Sequence, residues 1–355
     1  MSRLTTFPEE VYPADRLGAA VRPGAFELDR ARALMWMAQL AYEATAPEPR
    51  KLEGILERWG FGCRARLSHG KIEGYVAEGD GALVVAFAGT DPLVFENVVT
   101  DVDIRTAQGG ANRGFRDVVE GVRGPLVDAL RADGGRKPLF LTGHSLGGAL
   151  AAVAASRLTA PDGAARAAVE SERIEGVVTF GMPRPGDDEF AEDYRARGLW
   201  DKTVRLRHGS DIVPTVPPAC SGLFGLLEFR HVGQLLPCDR SGEFAGSAVL
   251  SDPVDRTSKI PLVETFELID EERRRRLDPH WFSRNRGPRW PGDAVAAGLA
   301  DRLPLFVRDH LQDRYLEALG VRFAPSAEAG AGESAGDIGA SLEALKRSIG
   351  RWLNR

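Results

Sequence analysis

The sequence predicts an α/β fold with a central, mostly parallel sheet joined by crossover helices. Three observations carry this. Apolar runs of strand length alternate with helical patterns from Gly114 to His208. Ser145 stands between Gly143 and Gly147 where such a run passes into an alanine-rich helical stretch. Two earlier strand patterns are joined by Gly79-Asp80-Gly81, a hairpin turn.

With 355 residues the chain can bury a large core, as one elaborated domain with appendages. Its 43% hydrophobic and 27% charged content is that of a globular protein, and a net charge of −5 offers no basic field to nucleic acid. No nucleic-acid partner is expected. The first fifteen residues carry Glu9, Glu10 and Asp15 and no apolar leader core, and no apolar run approaches the roughly 18 residues of a membrane span. The cytoplasm is the expected compartment. Cys63, Cys220 and Cys238 are too few and too irregularly spaced for a disulfide framework or a zinc site, so neither metal nor cofactor is expected.

Leu28 to Thr45 places Leu34, Met35, Met37, Ala38, Leu40, Ala41 and Tyr42 at helical spacing behind Asp29, which predicts a core-packing helix. A shorter helix is expected from Lys51 to Phe61, ending at Gly60 and Gly62. Strands follow at Ile72–Ala77 and Ala82–Ala88, on either side of the hairpin turn. The alternating part then runs helix Gly114–Arg131, strand Leu139–Thr142, helix Leu146–Leu158, strand Gly176–Gly181, helix Asp187–Arg197 and strand Thr203–His208. That order belongs to parallel strands with helical crossovers. From about 224 to 301, six prolines and the charge run Asp270 to Arg276 break up the pattern, and most of this stretch is expected to be an insertion packed over the sheet. Arg308 to Leu319 is a further helix, completing a domain over 1–323.

Beyond it, 324–336 is rich in Gly, Ala, Ser and Glu and is expected to be a flexible linker. Residues 337–355 place Ile338, Leu342, Leu345, Ile349 and Leu353 on one face of a basic amphipathic helix. Docking on the parent domain or self-association is favoured over attachment to an anionic membrane surface, since one short helix without a lipid anchor binds membranes weakly.

The chemistry centres on Ser145. A serine at the apex of a sharp strand-to-helix turn needs small neighbours two residues either side, and Gly143 and Gly147 supply them. The following N–H, that of Leu146, stands at a helix N-terminus, where an oxyanion would be received. A nucleophilic serine needs a general base and a carboxylate to orient it. Asp211 lies just past the strand Thr203–His208, two strands after the elbow, which suits the carboxylate; an ordinary loop-capping role is the alternative. For the base, His69 precedes the elbow, His144 adjoins it and His208 shares the strand of Asp211, leaving His231, His280 and His310. Position favours His310, at a loop-to-helix junction after Leu305–Val307, with His280 and His231 still open. The strand Ala82–Ala88 ends in Gly89-Thr90-Asp91, making Thr90 the candidate second oxyanion donor. Leu93, Val94, Phe95, Val98 and Val99 beyond it would form an apolar lid suited to an acyl chain.

Taken in order, these pieces resemble the class 3 lipases. The likeness spans about Asp29 to Leu319 and rests on Phe87-Ala88-Gly89-Thr90-Asp91, Asn112-Arg113-Gly114-Phe115, Thr142 to Leu150, Thr179 to Gly186, Asp211-Ile212-Val213-Pro214, His231-Val232-Gly233, and His310 with Tyr315 five residues on. It implies the α/β-hydrolase fold, Ser145 as nucleophile, Asp211 as acid, His310 as base, and Thr90 with Leu146 as oxyanion donors. His231 then matches a position without a catalytic role. The implied activity is metal-independent hydrolysis of carboxylic esters, on acylglycerols or phospholipids, with thioester or amide hydrolysis and an inactive lipid- or protein-binding scaffold as alternatives. Two features depart from the family pattern: Arg113 stands where many members have histidine, and Asp211 and His310 are unusually far apart.

Overall fold

The computed structural model describes residues 4–45, 49–70, 72–90, 110–132, 134–161, 167–217, 220–221, 227–238, 242–245, 291–293 and 305–323, with 296, 300 and 303 singly. The expected lid, most of the expected insertion, the linker 324–336, the helix 337–355 and His280 lie outside the described residues.

Seven strands form one sheet in the order of the chain: β1 (Phe61–His69), β2 (Ile72–Gly79), β3 (Leu83–Phe87), β4 (Leu139–His144), β5 (Ile174–Phe180), β6 (Thr203–Arg207) and β7 (Gln234–Pro237). The first three are antiparallel neighbours, and β3 to β7 run parallel. The α-helices delimited among the described residues are α1 (Leu28–Leu40), α2 (Pro49–Trp59), α3 (Arg113–Arg131), α4 (Leu146–Thr159), α5 (Asp188–Ala196), α6 (Leu305–Arg308) and α7 (Gln312–Ala318).

Alternation along the inner strands decides which layer each side chain joins. Val84, Ala86, Phe140, Val178 and Phe180 pack with α1, α2 and α7 on one face of the sheet. Leu83, Val85, Phe87, Leu141 and Val177 pack with α3, α4 and α5 on the other. Both faces are covered, which explains why β3, β4 and β5 are near-continuous apolar runs. Asn112 caps α3, its Oδ1 accepting from the N–H groups of Gly114 and Phe115, and Asp187 caps α5 through the N–H of Phe190.

Three differences from the sequence reading bear on the site. First, β1 is a strand where only a helix end was expected. It is an edge strand with only Phe61 and Leu67 buried, so its apolar pattern is thin. Second, β7 falls inside the stretch expected to be an insertion. It is short, ends at Pro237 and is paired on one side by β6, which a proline at an edge permits. Third, the helix expected over Arg308–Leu319 is broken: α6 ends at Arg308, α7 starts at Gln312, and Asp309, His310 and Leu311 form the turn between them. The helix Leu28–Thr45 likewise ends at Leu40 and tightens into a 3₁₀ turn over Ala41–Thr45.

Candidate active site

Ser145 links β4 to α4 with φ 59° and ψ −133°, and it is the one non-glycine residue among those described with positive φ. Such a conformation persists only where the surroundings over-determine it. Here they do. A Cβ on Gly143 would run into the Gly147 carbonyl, and one on Gly147 into the Phe87 carbonyl, so the strand and helix cross too closely for any larger residue. The Ser145 N–H donates to the Phe180 carbonyl at 2.8 Å, tying the elbow to the end of β5. Leu146, the first helical residue, has no intrahelical acceptor for its N–H.

The extension of β3 lies alongside. Gly89 packs so closely that a Cβ there would stand 2.6 Å from the His144 carbonyl oxygen and 2.8 Å from Ser145 Cβ. Half-buried Thr90 follows it directly. Thr90 is thus the residue next to the glycine that packs on the elbow.

Asp211 sits on the loop after β6 and is fully buried. Its two oxygens are used differently. Oδ1 accepts from the Val213 N–H at 2.9 Å, the loop-capping role, while Oδ2 accepts from His310 Nδ1 at 2.9 Å and from the Tyr315 hydroxyl at 2.5 Å. Burial pushes its carboxyl up, but the His310 imidazole, the hydrogen bonds from His310 and Tyr315, and the Val213 N–H outweigh this and hold it below the ordinary value. Ninety-nine residues separate Asp211 from its imidazole partner. Gly181, at φ 59°, fills the corner between them: a Cβ there would stand 2.6 Å from Asp211 Oδ2 and 2.9 Å from His310 Nδ1. Since Gly181 follows Phe180, whose carbonyl holds Ser145, the serine, carboxylate and imidazole converge on the end of β5.

The other described histidines are occupied elsewhere. His231 is buried with Nε2 donating to the Pro214 carbonyl at 2.8 Å; burial and the nearby Arg205, Arg184 and Arg207 keep it neutral. His208 Nδ1 lies 3.2 Å from the Asp309 carbonyl, and His69 lies against Gly121 of α3.

Several site residues escaped the sequence reading. Asp309 Oδ2 accepts from the Ser210 N–H at 2.7 Å, and Tyr315, besides donating to Asp211, accepts from the His208 N–H at 3.2 Å. His144, set aside as a neighbour of the serine, is buried between Tyr42 and the His310 backbone. Only Tyr315 had a signal, its fixed offset from His310. Arg184, wholly buried, holds the loop that follows Asp211 by donating to the Thr215 and Pro217 carbonyls at 2.6 and 2.8 Å. Among the described residues no His, Cys, Asp and Glu side chains cluster as metal ligands would.

A central, mostly parallel sheet with a strained serine elbow and a buried carboxylate–imidazole pair on later loops is the arrangement of the α/β-hydrolase fold. Residues 84–221 match the model of the lipase (class 3) family. A Caenorhabditis elegans lipase is 39% identical over 101 residues, 28% of this chain and 26% of its own. A secreted mono- and diacylglycerol lipase of Fusarium solani is 35% identical over 129 residues, 34% of this chain and 32% of its own. The chain thus matches about a third or less of the length of these two relatives. In structure it resembles a deletion mutant of the Rhizomucor miehei lipase propeptide complex, at TM-score 0.51 and 21% identity, over 74% of this chain and 82% of that one.

Proposed function

We propose that the protein is a serine-dependent hydrolase of carboxylic esters, acting on acylglycerol or phospholipid substrates. The observation that carries this is the buried hydrogen bond from His310 Nδ1 to Asp211 Oδ2, beside a serine held at positive φ. Asp211 fixes the His310 tautomer with hydrogen on Nδ1, leaving Nε2 as the bare acceptor. His310 Nε2 takes the proton of Ser145 Oγ as the oxygen attacks the ester carbonyl. The tetrahedral oxyanion is received by the N–H groups of Thr90 and Leu146. As it collapses, the alcohol leaves with the proton from His310, and water repeats both steps on the acyl-enzyme to release the acid.

Support also comes from the family match and from the two relatives, which are named as lipases. Ser145→Ala should lower turnover of p-nitrophenyl esters by on the order of 10⁴-fold or more with the fold intact. A fluorophosphonate should label Ser145. Near wild-type turnover in the folded variant, or labelling at another serine, would overturn the assignment. Comparing esters of short and long chains with acyl-thioesters separates ester from thioester hydrolysis. For the basic segment 337–355 we keep docking or self-association ahead of membrane attachment; flotation with anionic liposomes, with and without that segment, tests the order, and loss of binding on its removal would reverse it.

A further inference from the structure

The mechanism proposed above makes no use of the His144 ring, although it lies beside the elbow in both sequence and space. Its surroundings are specific. The side chain is fully buried, with Nε2 2.7 Å from the His310 carbonyl oxygen and Nδ1 2.9 Å from the Tyr42 hydroxyl. A carbonyl only accepts, so Nε2 carries the hydrogen; Nδ1 is then a bare acceptor, and Tyr42 must donate to it. Two partners therefore fix the tautomer. The His144 ring also lies against that of His310, with centroids 4.5 Å apart and planes 30° from parallel.

We infer that His144 is a positioning residue for the base: its Nε2–H holds the His310 backbone in place beside Ser145, and Tyr42 locks the tautomer that can donate. This rests on the reading of His310 as the base of Ser145. The need for such a tie follows from the local structure. His310 lies in the break between α6 and α7, where the local bonds are those from its own N–H to the Val307 carbonyl and from the Leu311 N–H to the Arg308 carbonyl. Asp211 fixes only one ring atom, about which the ring could still swing. A second hold at the backbone carbonyl sets the direction of Nε2. The same network reaches the oxyanion side, because Gly89 packs directly against the Tyr42 hydroxyl and the His144 carbonyl.

The arrangement also needs His144 to stay neutral, since protonating Nδ1 would set an N–H against the Tyr42 hydroxyl. Among the described residues four titratable groups face it: Tyr42 from the turn after α1, His310 from the α6–α7 turn, Asp211 from the loop after β6 and Tyr315 from α7. Burial pushes its basicity down and His310 adds to this, while Asp211 and the His310 carbonyl oppose; the net is well below the ordinary histidine value. One proton carrier then serves Ser145 without a second cation beside it.

The test compares His144→Gln, whose amide can donate from near the position of Nε2, with His144→Leu, which cannot, and with Tyr42→Phe. Steady-state kinetics on p-nitrophenyl butyrate would be measured across pH, with thermal melting as the check of folding. His144→Leu should lower kcat roughly a hundredfold, as expected of a base misplaced by about 1 Å, with KM little changed. Glutamine should recover at least about tenfold of that loss, and its acid-side pH profile should follow the wild type. Tyr42→Phe should lower kcat several-fold without moving KM. Equal losses in the Gln and Leu variants, or a folded Leu variant with wild-type kcat, would overturn the inference. Should the Leu variant not fold, wild-type kcat in Tyr42→Phe would do so instead. Failure of the reading beneath it would be seen separately, as turnover surviving in Ser145→Ala.

Discussion

Asp309 Oδ2 accepts the Ser210 N–H at 2.7 Å, so the residue before the imidazole is bonded to the residue before the carboxylate. The carboxylate and the imidazole come from loops far apart in the chain, and this bond keys the two loops together one step behind the Asp211–His310 pair. Asp309 is almost fully buried, and its carbonyl also faces His208 Nδ1 at 3.2 Å. The loops are therefore registered by several contacts, and the catalytic-type hydrogen bond is not alone in holding them.

Asp309→Ala should accordingly act on activity as well as on stability. It strands a buried N–H, which costs about 1–3 kcal/mol, and lets the two loops slide. Asp309→Asn keeps an acceptor oxygen and should recover most of both losses. Chemical denaturation and ester kinetics on the two variants check this; an alanine variant of wild-type stability would show that the bond contributes nothing.

Tyr315→Phe removes a hydrogen bond to a buried carboxylate, a loss of roughly 1.5–3 kcal/mol. The sign of its pH dependence follows from Asp211, whose folded value lies below the ordinary 3.8. A depressed carboxylate stabilises the fold above its unfolded value, and that stabilisation is lost as pH falls through the folded value. Without the Tyr315 hydroxyl, Asp211 moves back upward and the acid loss begins at higher pH. Stability curves of both proteins should be furthest apart near neutrality and close up at low pH; parallel curves would count against it.

Much of this site was legible in the sequence because local geometry dictates it. Gly143 and Gly147 are forced by the crossing of β4 and α4, and a loop carboxylate after a parallel strand is a positional rule, so Ser145 and Asp211 could be singled out from spacing. His310 was harder. Its place depends on a helix break at Asp309–Leu311 that no proline or glycine marks, where Arg308 to Leu319 keeps helical periodicity. The contacts of Asp309, His144 and Tyr42 are tertiary pairings between elements remote in sequence, for which periodicity has no signal. Strand β1 was missed for a simpler reason: as an edge strand it buries too little to show a clear alternation.

Gly181 is a sharper probe of the site than the polar residues. At φ 59° any side chain is strained, and a Cβ would stand 2.6 Å from Asp211 Oδ2 and 2.9 Å from His310 Nδ1. Gly181→Ala should thus cost about 1–3 kcal/mol for the backbone and drive the imidazole off its carboxylate. The expected kinetic result is a fall in kcat of at least about a hundredfold. A folded variant with unchanged kcat would mean that the Asp211–His310 geometry does not limit the reaction.

Asp313, wholly buried on α7 with Arg314 Nε 3.8 Å from its Oδ2, gives a prediction about stability alone. Burial raises its carboxyl from 3.8 to about 6, with Glu317 adding to the rise and Arg314 and Arg308 opposing it. The folded state therefore holds a proton that the unfolded state has released between those two values. By linkage stability falls as pH rises from about 4 to about 6 and levels off above, the whole difference amounting to roughly 3 kcal/mol. Asp313→Asn removes the titration while keeping the shape of the side chain. It should be more stable than the wild type by up to about 3 kcal/mol at pH 8 and should match it near pH 4. Urea unfolding at the two pH values measures the difference directly, and an equal gain at both would mean that the asparagine stabilises by packing and that Asp313 carries its charge without cost.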